Sequence, residues 1–384
     1  MKPGRYPAAI SLRDGRRRTA DAPTTGDAEV RRIAVFRALQ LGDMLCAVPA
    51  LRALRHRYPQ AQVTMIGLPS CAWFAHRFAH YVDDWLDFPG APALPEQAPR
   101  SALLPAFFAE ARARRFDLAL QLHGSGERTN GIVRLLGARR TCGFTPPGAS
   151  ADGGGGGFVR WPEEGSEIER LLRLVDHLGI ARQGRSLEFP IEEQERQNWR
   201  RLARRHSLDP ARLVLVHPGA RFASRRWPTE RFAEVADRLA SHGWQIAITG
   251  SADEIDLAAS VRRAMRTVAV DLSGATTLGE LAAAIDDCRV LVCNDTGVSH
   301  LAVAVGARSV VVGSGSEIRR WRPLDRSLHP MLAADLPCRP CSEPVCPYAG
   351  HPCASAIEVD PVFALAMHQL TMSALPSLTA AKSA

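Results

Sequence analysis

"CNDTGVSHLAVAVGA", residues 293–307, crowds Asn294, Asp295, Thr296, Gly297, Ser299 and His300 into one turn. The apolar run Val290-Leu291-Val292 before it reads as a buried strand. The small-residue run from Leu301 to Val305 after it reads as a helix. A plain strand-to-helix connection needs only a glycine and a cap. Here Asp295 or Thr296 supplies the cap, Gly297 lets a ligand approach the backbone, and Val298, Ser299 and His300 fill the first turn. The unpaired amides of such a turn form an anion site. Taken singly, His300 reads as a satisfied structural histidine. Taken together, the cluster reads as a phosphate or nucleotide site at the carboxyl end of a strand.

Outward from this turn the same rhythm repeats. Strand candidates in the second half are "RLVLVH", "WQIAIT", "VAV", "RVLVC" and "RSVVVG"; in the first half they are "RRIAVF", "AQVTMIG", "FDLALQL" and "RTCGF". Amphipathic runs lie between them, such as 42–59, where Leu45, Val48, Leu51 and Leu54 recur at helical spacing. The alternation predicts an α/β protein with two tandem Rossmann-like, doubly wound domains and a cleft between them. The expected boundaries are a disordered basic leader over 1–29, a first domain over 30–188 and a second over 189–355. A helix over 356–372 and a tail over 373–384 follow. A mobile loop is expected around the glycine run 153–157.

With 48 Lys and Arg against 40 Asp and Glu, the chain carries a formal charge of +8, which suits anionic ligands. Aromatics are 6% and do not interleave with basic residues, so a base-stacking platform and nucleic acid are not expected. No apolar run reaches the length of a membrane helix. The leader lacks the apolar centre of a secretory signal, so the nine cysteines are not expected to form a disulfide framework. The cytoplasm is the expected compartment. The basic leader suits peripheral contact with the anionic inner face of a membrane, or is simply a solvated tail.

Three more strand ends carry chemistry. Gly42-Asp43 follows the first strand: Asp43 is either a helix cap or a carboxylate general base facing the cleft. His217-Pro218-Gly219 ends another strand, and Arg221, Arg225 and Arg226 follow; arginines beside a glycine turn suit a diphosphate. Gly250-Ser251 precedes Asp253 and Glu254, placed either to accept from ribose hydroxyls or to favour a helix start. Neither G-x-G-x-x-G after a first strand nor G-x-x-x-x-G-K-[ST] occurs, which weakens dehydrogenase and P-loop readings.

Together, "GDMLCAVPALRALRHRYPQAQV", "HPGARFASRRWPTERFAEVA" and "NDTGVSHLAVAVGARSVVVGSG" with "RRWRP" after it resemble glycosyltransferase family 9, the ADP-heptose:lipopolysaccharide heptosyltransferases and their relatives. The resemblance implies a glycosyltransferase-B fold and an inverting, metal-independent transfer from an ADP-sugar to a glycan or lipid-linked glycan acceptor. It assigns Asp43 as base. It assigns donor binding to Arg226, Asp253 or Glu254, Asp295, Thr296, Gly297 and His300; Gly219, Arg225, Ser251 and Val298, at the same strand ends, are expected to line the donor site with them. Arg226 stands where the family more often has Lys. His123 and Arg128 occupy the acceptor-facing stretch. The C-terminal helix is expected to pack back toward the first domain. A sugar-nucleotide epimerase and a non-catalytic nucleotide-sugar binder remain alternatives at this point.

"CRPCSEPVCPYAGHPC" places Cys338, Cys341, Cys346 and Cys353 in one Pro-rich loop over 338–353. Four thiolates at this spacing suit a structural zinc or iron; reduced free thiols are the plainer alternative. Catalysis is expected to need no cofactor.

Overall fold

The computed structural model describes residues 30–92, 94–149 and 157–374. The expectations for the leader, for most of the glycine run and for the end of the tail lie outside these residues. Among the described residues, twelve strands form two six-stranded sheets, parallel throughout. The first sheet contains β1 (Arg32–Phe36), β2 (Gln62–Gly67), β3 (Asp84–Asp87), β4 (Leu118–Gln121), β5 (Arg140–Thr145) and β6 (Phe158–Arg160), in spatial order β3-β2-β1-β4-β5-β6. The second contains β7 (Leu213–His217), β8 (Gln245–Ile248), β9 (Ala269–Asp271), β10 (Val290–Asn294), β11 (Ser309–Val312) and β12 (Met331–Leu332), in order β12-β11-β10-β7-β8-β9. Each order reverses once, between β1 and β4 and between β7 and β10. These are the topological switch points where open α/β sheets bind ligands.

Nine of the twelve strands follow directly from the apolar runs, because strands buried on both faces read as unbroken Val, Ile and Leu. Three do not. β3 carries two aspartates at the sheet edge, β6 has three residues and β12 only two.

Helix α1 (Leu41–Arg57) packs on α2 (Glu167–His177) within the first domain. The α2 helix is capped by Ser166 Oγ, which accepts from the Glu169 amide, and it closes at Gly179, whose φ is +69°. Helix α3 (Glu193–Arg205) opens the second domain and lies on α5 (Leu278–Asp287). Between them in sequence, α4 (Thr229–Ser241) starts after Pro228, so Thr229 is its first residue rather than its cap.

The domains meet where α1 packs against α6 (Gly297–Val305), the helix that follows β10. A single apolar cluster runs across this junction, from Leu45 and Val48 of α1 to Leu301 and Ala302 of α6. The last helix, α7 (Val359–Ala374), does not pack back toward the first domain as expected. Its stripe of Val362, Ala366 and Leu370 is fully buried against α4, β10 and β11 of the second domain. Burying the Val and Leu side chains contributes roughly 1.5–3 kcal/mol each, which fixes the helix on its own sheet.

Candidate active site

The two switch points open into one cavity of about 740 Å³. Gln40 to Asp43 form one wall, from the first domain. His217, Gly219, Arg221, Arg225, Ser251, Asp253, Glu254, Asp295 to Val298 and His300 form the opposite wall, from the second. The walls come close at Gly42, which has no side chain to hold them apart. A β-carbon on Gly42 would stand 2.8 Å from His300 Cδ2 and 3.2 Å from the Gly297 α-carbon.

The cap of α1 is Gln40, so Asp43 is a first-turn residue and its carboxylate is free of capping duty. The Asp43 side chain is 22% exposed and faces the cavity. Arg37, fully buried, holds it in place. The Arg37 Nε donates to the Asp43 carbonyl at 2.8 Å, and Nη2 lies 3.8 Å from Asp43 Oδ1. Burial raises the Asp43 carboxyl above its ordinary value; Arg37, Arg320 and His300 oppose the rise and Glu167 adds to it.

Glu167 is the hub of that network. Its Oε1 accepts from Arg37 Nη2 at 3.0 Å and its Oε2 from Arg320 Nε at 2.8 Å. Burial acts to raise its carboxyl, yet the guanidiniums of Arg320 and Arg37 outweigh burial and hold it down at about 2. Arg320 also lies over the Trp161 and Trp321 rings, at 5.6 and 4.5 Å.

On the opposite wall, Thr296 is the cap of α6, its hydroxyl accepting from Val298 N at 3.4 Å. Asn294 is structural: it accepts from Trp227 N at 2.9 Å and donates to the Pro218 carbonyl at 2.7 Å, tying the two strand-end loops together. Burial lowers the His300 imidazole below its usual value, against the pull of Asp295, Asp43 and Glu167. Its Nδ1 lies 3.7 Å from Cys46 Sγ. Two buried polar atoms in this wall have no hydrogen-bond partner: Arg225 Nη1 and Asp295 Oδ2. Buried polar atoms are nearly always paired, so a site that leaves two open is shaped for a polar ligand.

Arg226 differs from expectation. Its Nε is spent on the Ala220 carbonyl at 2.9 Å, and the residues lining the cavity are Arg221 and Arg225. A short 3₁₀ turn over Ala223–Arg225 aims the first of the adjacent arginines inward and the second back along the loop. Glu254 and Ser251 form a capping box, with Glu254 Oε2 accepting from the Ser251 amide at 2.9 Å. That leaves Asp253, exposed on the cavity rim, as the acid without a capping role.

His123 is buried outside this cavity, stacked on Phe36 and 3.6 Å from Glu96. Arg128 is exposed and lines neither this cavity nor the smaller one beside Ser166. The cysteine loop lies beside the Arg225 turn. Cys338, Cys341 and Cys346 are half-buried and Cys353 is buried, but no three His, Cys, Asp or Glu side chains among the described residues converge as metal ligands. Cys338 and Cys346 nonetheless lie near enough to Cys353 to raise its thiol, after burial as the first cause. The loop braces the Arg225 turn with its backbone. The Cys341 carbonyl accepts from Arg225 Nη2 at 2.5 Å, and Ser224 N donates to Pro344 O at 3.1 Å.

This arrangement of two facing switch points, with a carboxylate on one side and an anion-binding helix start on the other, has a counterpart among known proteins. The family model for glycosyltransferase family 9 (heptosyltransferase) matches residues 106–351. The chain belongs to glycosyltransferase family 9. It is 26% identical over 283 residues to lipopolysaccharide heptosyltransferase 2 of Escherichia coli strain K12, covering 69% of this chain and 77% of that protein. The crystal structure of a glycosyltransferase family 9 protein from Veillonella parvula superposes with a TM-score of 0.73 at 21% identity, over 90% of this chain and 98% of that one. An Escherichia coli heptosyltransferase solved with ADP gives a TM-score of 0.60 at 16% identity, over 89% and 99%. The fold is thus glycosyltransferase-B, and the chain is a glycosyltransferase. No helix among the described residues is long and apolar enough to cross a membrane.

Sequence reasoning on this family 9 chain missed Arg37, Glu167 and Arg320 as site residues. Arg320 lies in the quoted "RRWRP" stretch, the one local signal. Glu167 reads only as a first-turn acid, and 153 residues separate it from Arg320.

Proposed function

We propose that this protein transfers a heptose from an ADP-sugar to a glycan of the lipopolysaccharide core, with inversion and without a metal. The observation that carries the reading is that Asp43 and the Asp295–His300 turn, from different domains, line one cavity. ADP follows from the relative solved with it, heptose and lipopolysaccharide from the relatives' names.

Asp43 takes the proton of the acceptor hydroxyl as that oxygen attacks the anomeric carbon. A carboxyl raised by burial is a stronger base than an ordinary one, and such a base contributes about 10²–10⁴-fold. The leaving ADP gathers negative charge on its diphosphate. Arg225 Nη1, the first-turn amide at Gly297, and His300 are the donors that receive it. Preorganised donors of this kind lower the barrier by roughly 3–4 kcal/mol each. Asp253 accepts from a ribose hydroxyl, and Thr276, Leu278 and Leu281 enclose the base end of the nucleotide. The reaction belongs on the cytoplasmic side, at the inner face of the membrane that carries the acceptor.

The test is Asp43→Asn. Turnover is expected to fall at least 100-fold while ADP affinity by calorimetry stays within about twofold. Loss of ADP affinity with an unchanged rate would make Asp43 a donor-binding residue rather than the base.

A further inference from the structure

A second cavity, of about 290 Å³, lies on the other side of the Glu167–Arg320 bridge. Its walls come from both domains: Glu164 to Ser166 and Glu169 at the start of α2, and Arg319, Arg322, Leu324 and Arg326 after β11. In the run 318–326, Arg320 turns inward to Glu167 while Arg319, Arg322 and Arg326 turn outward. None of these three makes an ion pair or side-chain hydrogen bond with a described residue. Three unpaired guanidiniums around one cavity repel one another. Burial first, then Arg326 and Arg319, hold the Arg322 guanidinium below its usual value.

Arg319 and Arg326 are exposed and Arg322 is half-buried, so water screens part of this repulsion, and an anion seated among the three would be attracted by all of them. The acids on the wall do not supply one. Glu169 is already paired, at 2.7 Å to Arg182 and 3.4 Å to Arg185. Glu164 is exposed at the rim. A cavity of this volume with Leu324 and Pro323 in its wall holds more than a lone ion, and Glu164 and Ser166 can bond to hydroxyls. The chemistry required is an anionic group, phosphate or carboxylate, attached to a sugar.

We infer that the cavity between Ser166 and Arg322 is an acceptor subsite that holds an anionic substituent of the glycan while a neighbouring hydroxyl reaches Asp43. This rests on the transferase reading. The subsite and the base flank one ion-pair network: Arg320 and Glu167, the chain neighbours of Arg319 and Ser166, meet at 2.8 Å, Glu167 meets Arg37 at 3.0 Å, and Arg37 lies 3.8 Å from Asp43. Because the subsite draws residues from both domains, it is complete only when they are closed.

The probe is glucose 6-phosphate, titrated into the ADP-loaded full chain, with glucose, inorganic phosphate and phosphatidylglycerol vesicles as parallel arms. Glucose 6-phosphate is expected to bind and glucose not. Arg322→Gln with Arg326→Gln is expected to weaken binding by about tenfold or more, since charge-assisted bonds to two guanidiniums are removed, while ADP affinity stays within about twofold. With a phosphorylated oligosaccharide acceptor, the same variant is expected to raise KM and to keep kcat, and its kinetics on the dephosphorylated acceptor are expected to match wild type. Equal binding by wild type and variant overturns the subsite. So does inorganic phosphate binding as tightly as the sugar phosphate, or a response to vesicles alone. Arginine-dependent binding of glucose 6-phosphate with no sugar transfer to any acceptor would instead retain the anionic-sugar site and overturn the transferase reading.

Discussion

Glu167 of the first domain accepts a 2.8 Å hydrogen bond from Arg320 of the second, and its carboxylate is 1% exposed. The same carboxylate binds Arg37, which holds Asp43. Closing the domains therefore brings a guanidinium to within one carboxylate of the proposed base. Asp43 feels both: Glu167 raises its carboxyl and Arg320 lowers it.

Removing the hub leaves two buried guanidiniums without their shared partner. Glu167→Gln is expected to destabilise the protein by roughly 3–5 kcal/mol, the usual cost of breaking a buried pair from one side. Urea unfolding of wild type and variant measures it. A shift below about 1 kcal/mol would mean that water or another carboxylate replaces the partner.

The same residue sets an acid sensitivity. Its carboxyl is lowered from 4.5 to about 2, so its contribution is fully present above about 4.5 and is lost as pH falls toward about 2. On the order of 3 kcal/mol is at stake. Wild type should lose stability across that window faster than Glu167→Gln, and the two unfolding curves should converge at the acid end.

Activity should also fall with acid through Asp43, but at higher pH, because this carboxyl is shifted up where that of Glu167 is shifted down. A raised carboxyl ionises later, so the acid limb of kcat is expected above the ordinary aspartate range. Arg320→Gln removes a charge that lowers Asp43 and should move that limb to higher pH still. A limb unmoved by this substitution would detach Arg320 from the base.

The adjacent arginines offer a sharp contrast. Arg225→Ala is expected to weaken ADP binding by roughly 1–3 kcal/mol, the range for losing charge-assisted bonds, and Arg226→Ala by less than half of that. Calorimetry with ADP decides the order. The reverse order would restore the assignment that the family resemblance gave to Arg226.

Gly42→Ala tests the closeness of the walls. Its β-carbon would meet His300 at 2.8 Å, a contact that something must move to relieve. Turnover should drop by about 100-fold, because an ångström of misplacement costs that much, while ADP still binds the second domain. Solution scattering should show a more open particle.

Legibility in the sequence varies residue by residue. The central strands announced themselves because β7 and β10 are rich in Val and Leu, the mark of strands covered on both faces. β12, two residues long, carries no periodicity to read. The turn at 295–300 was legible because its polar residues exceed what capping needs. Asp43 was legible as a candidate but its local role was not, since a cap and a base look alike until the helix is seen to start at Leu41. Arg225 and Arg226 are neighbours, and only the 3₁₀ turn separates their directions. Glu167 is invisible for a different reason: its partners lie 130 residues before it and 153 after it, and no local pattern encodes that meeting.

Gly42 and Gly297 face each other so closely that a β-carbon on either would crowd the other's backbone, at 3.2 and 3.1 Å, so each domain serves as the mould for the other at that spot. The halves of this chain are consequently not freely exchangeable modules. A chimaera that grafts a foreign second half onto residues 30–188 would close only if the donor also brings an unsubstituted α-carbon to that spot. Any drift at either position during descent would have to be answered at the other.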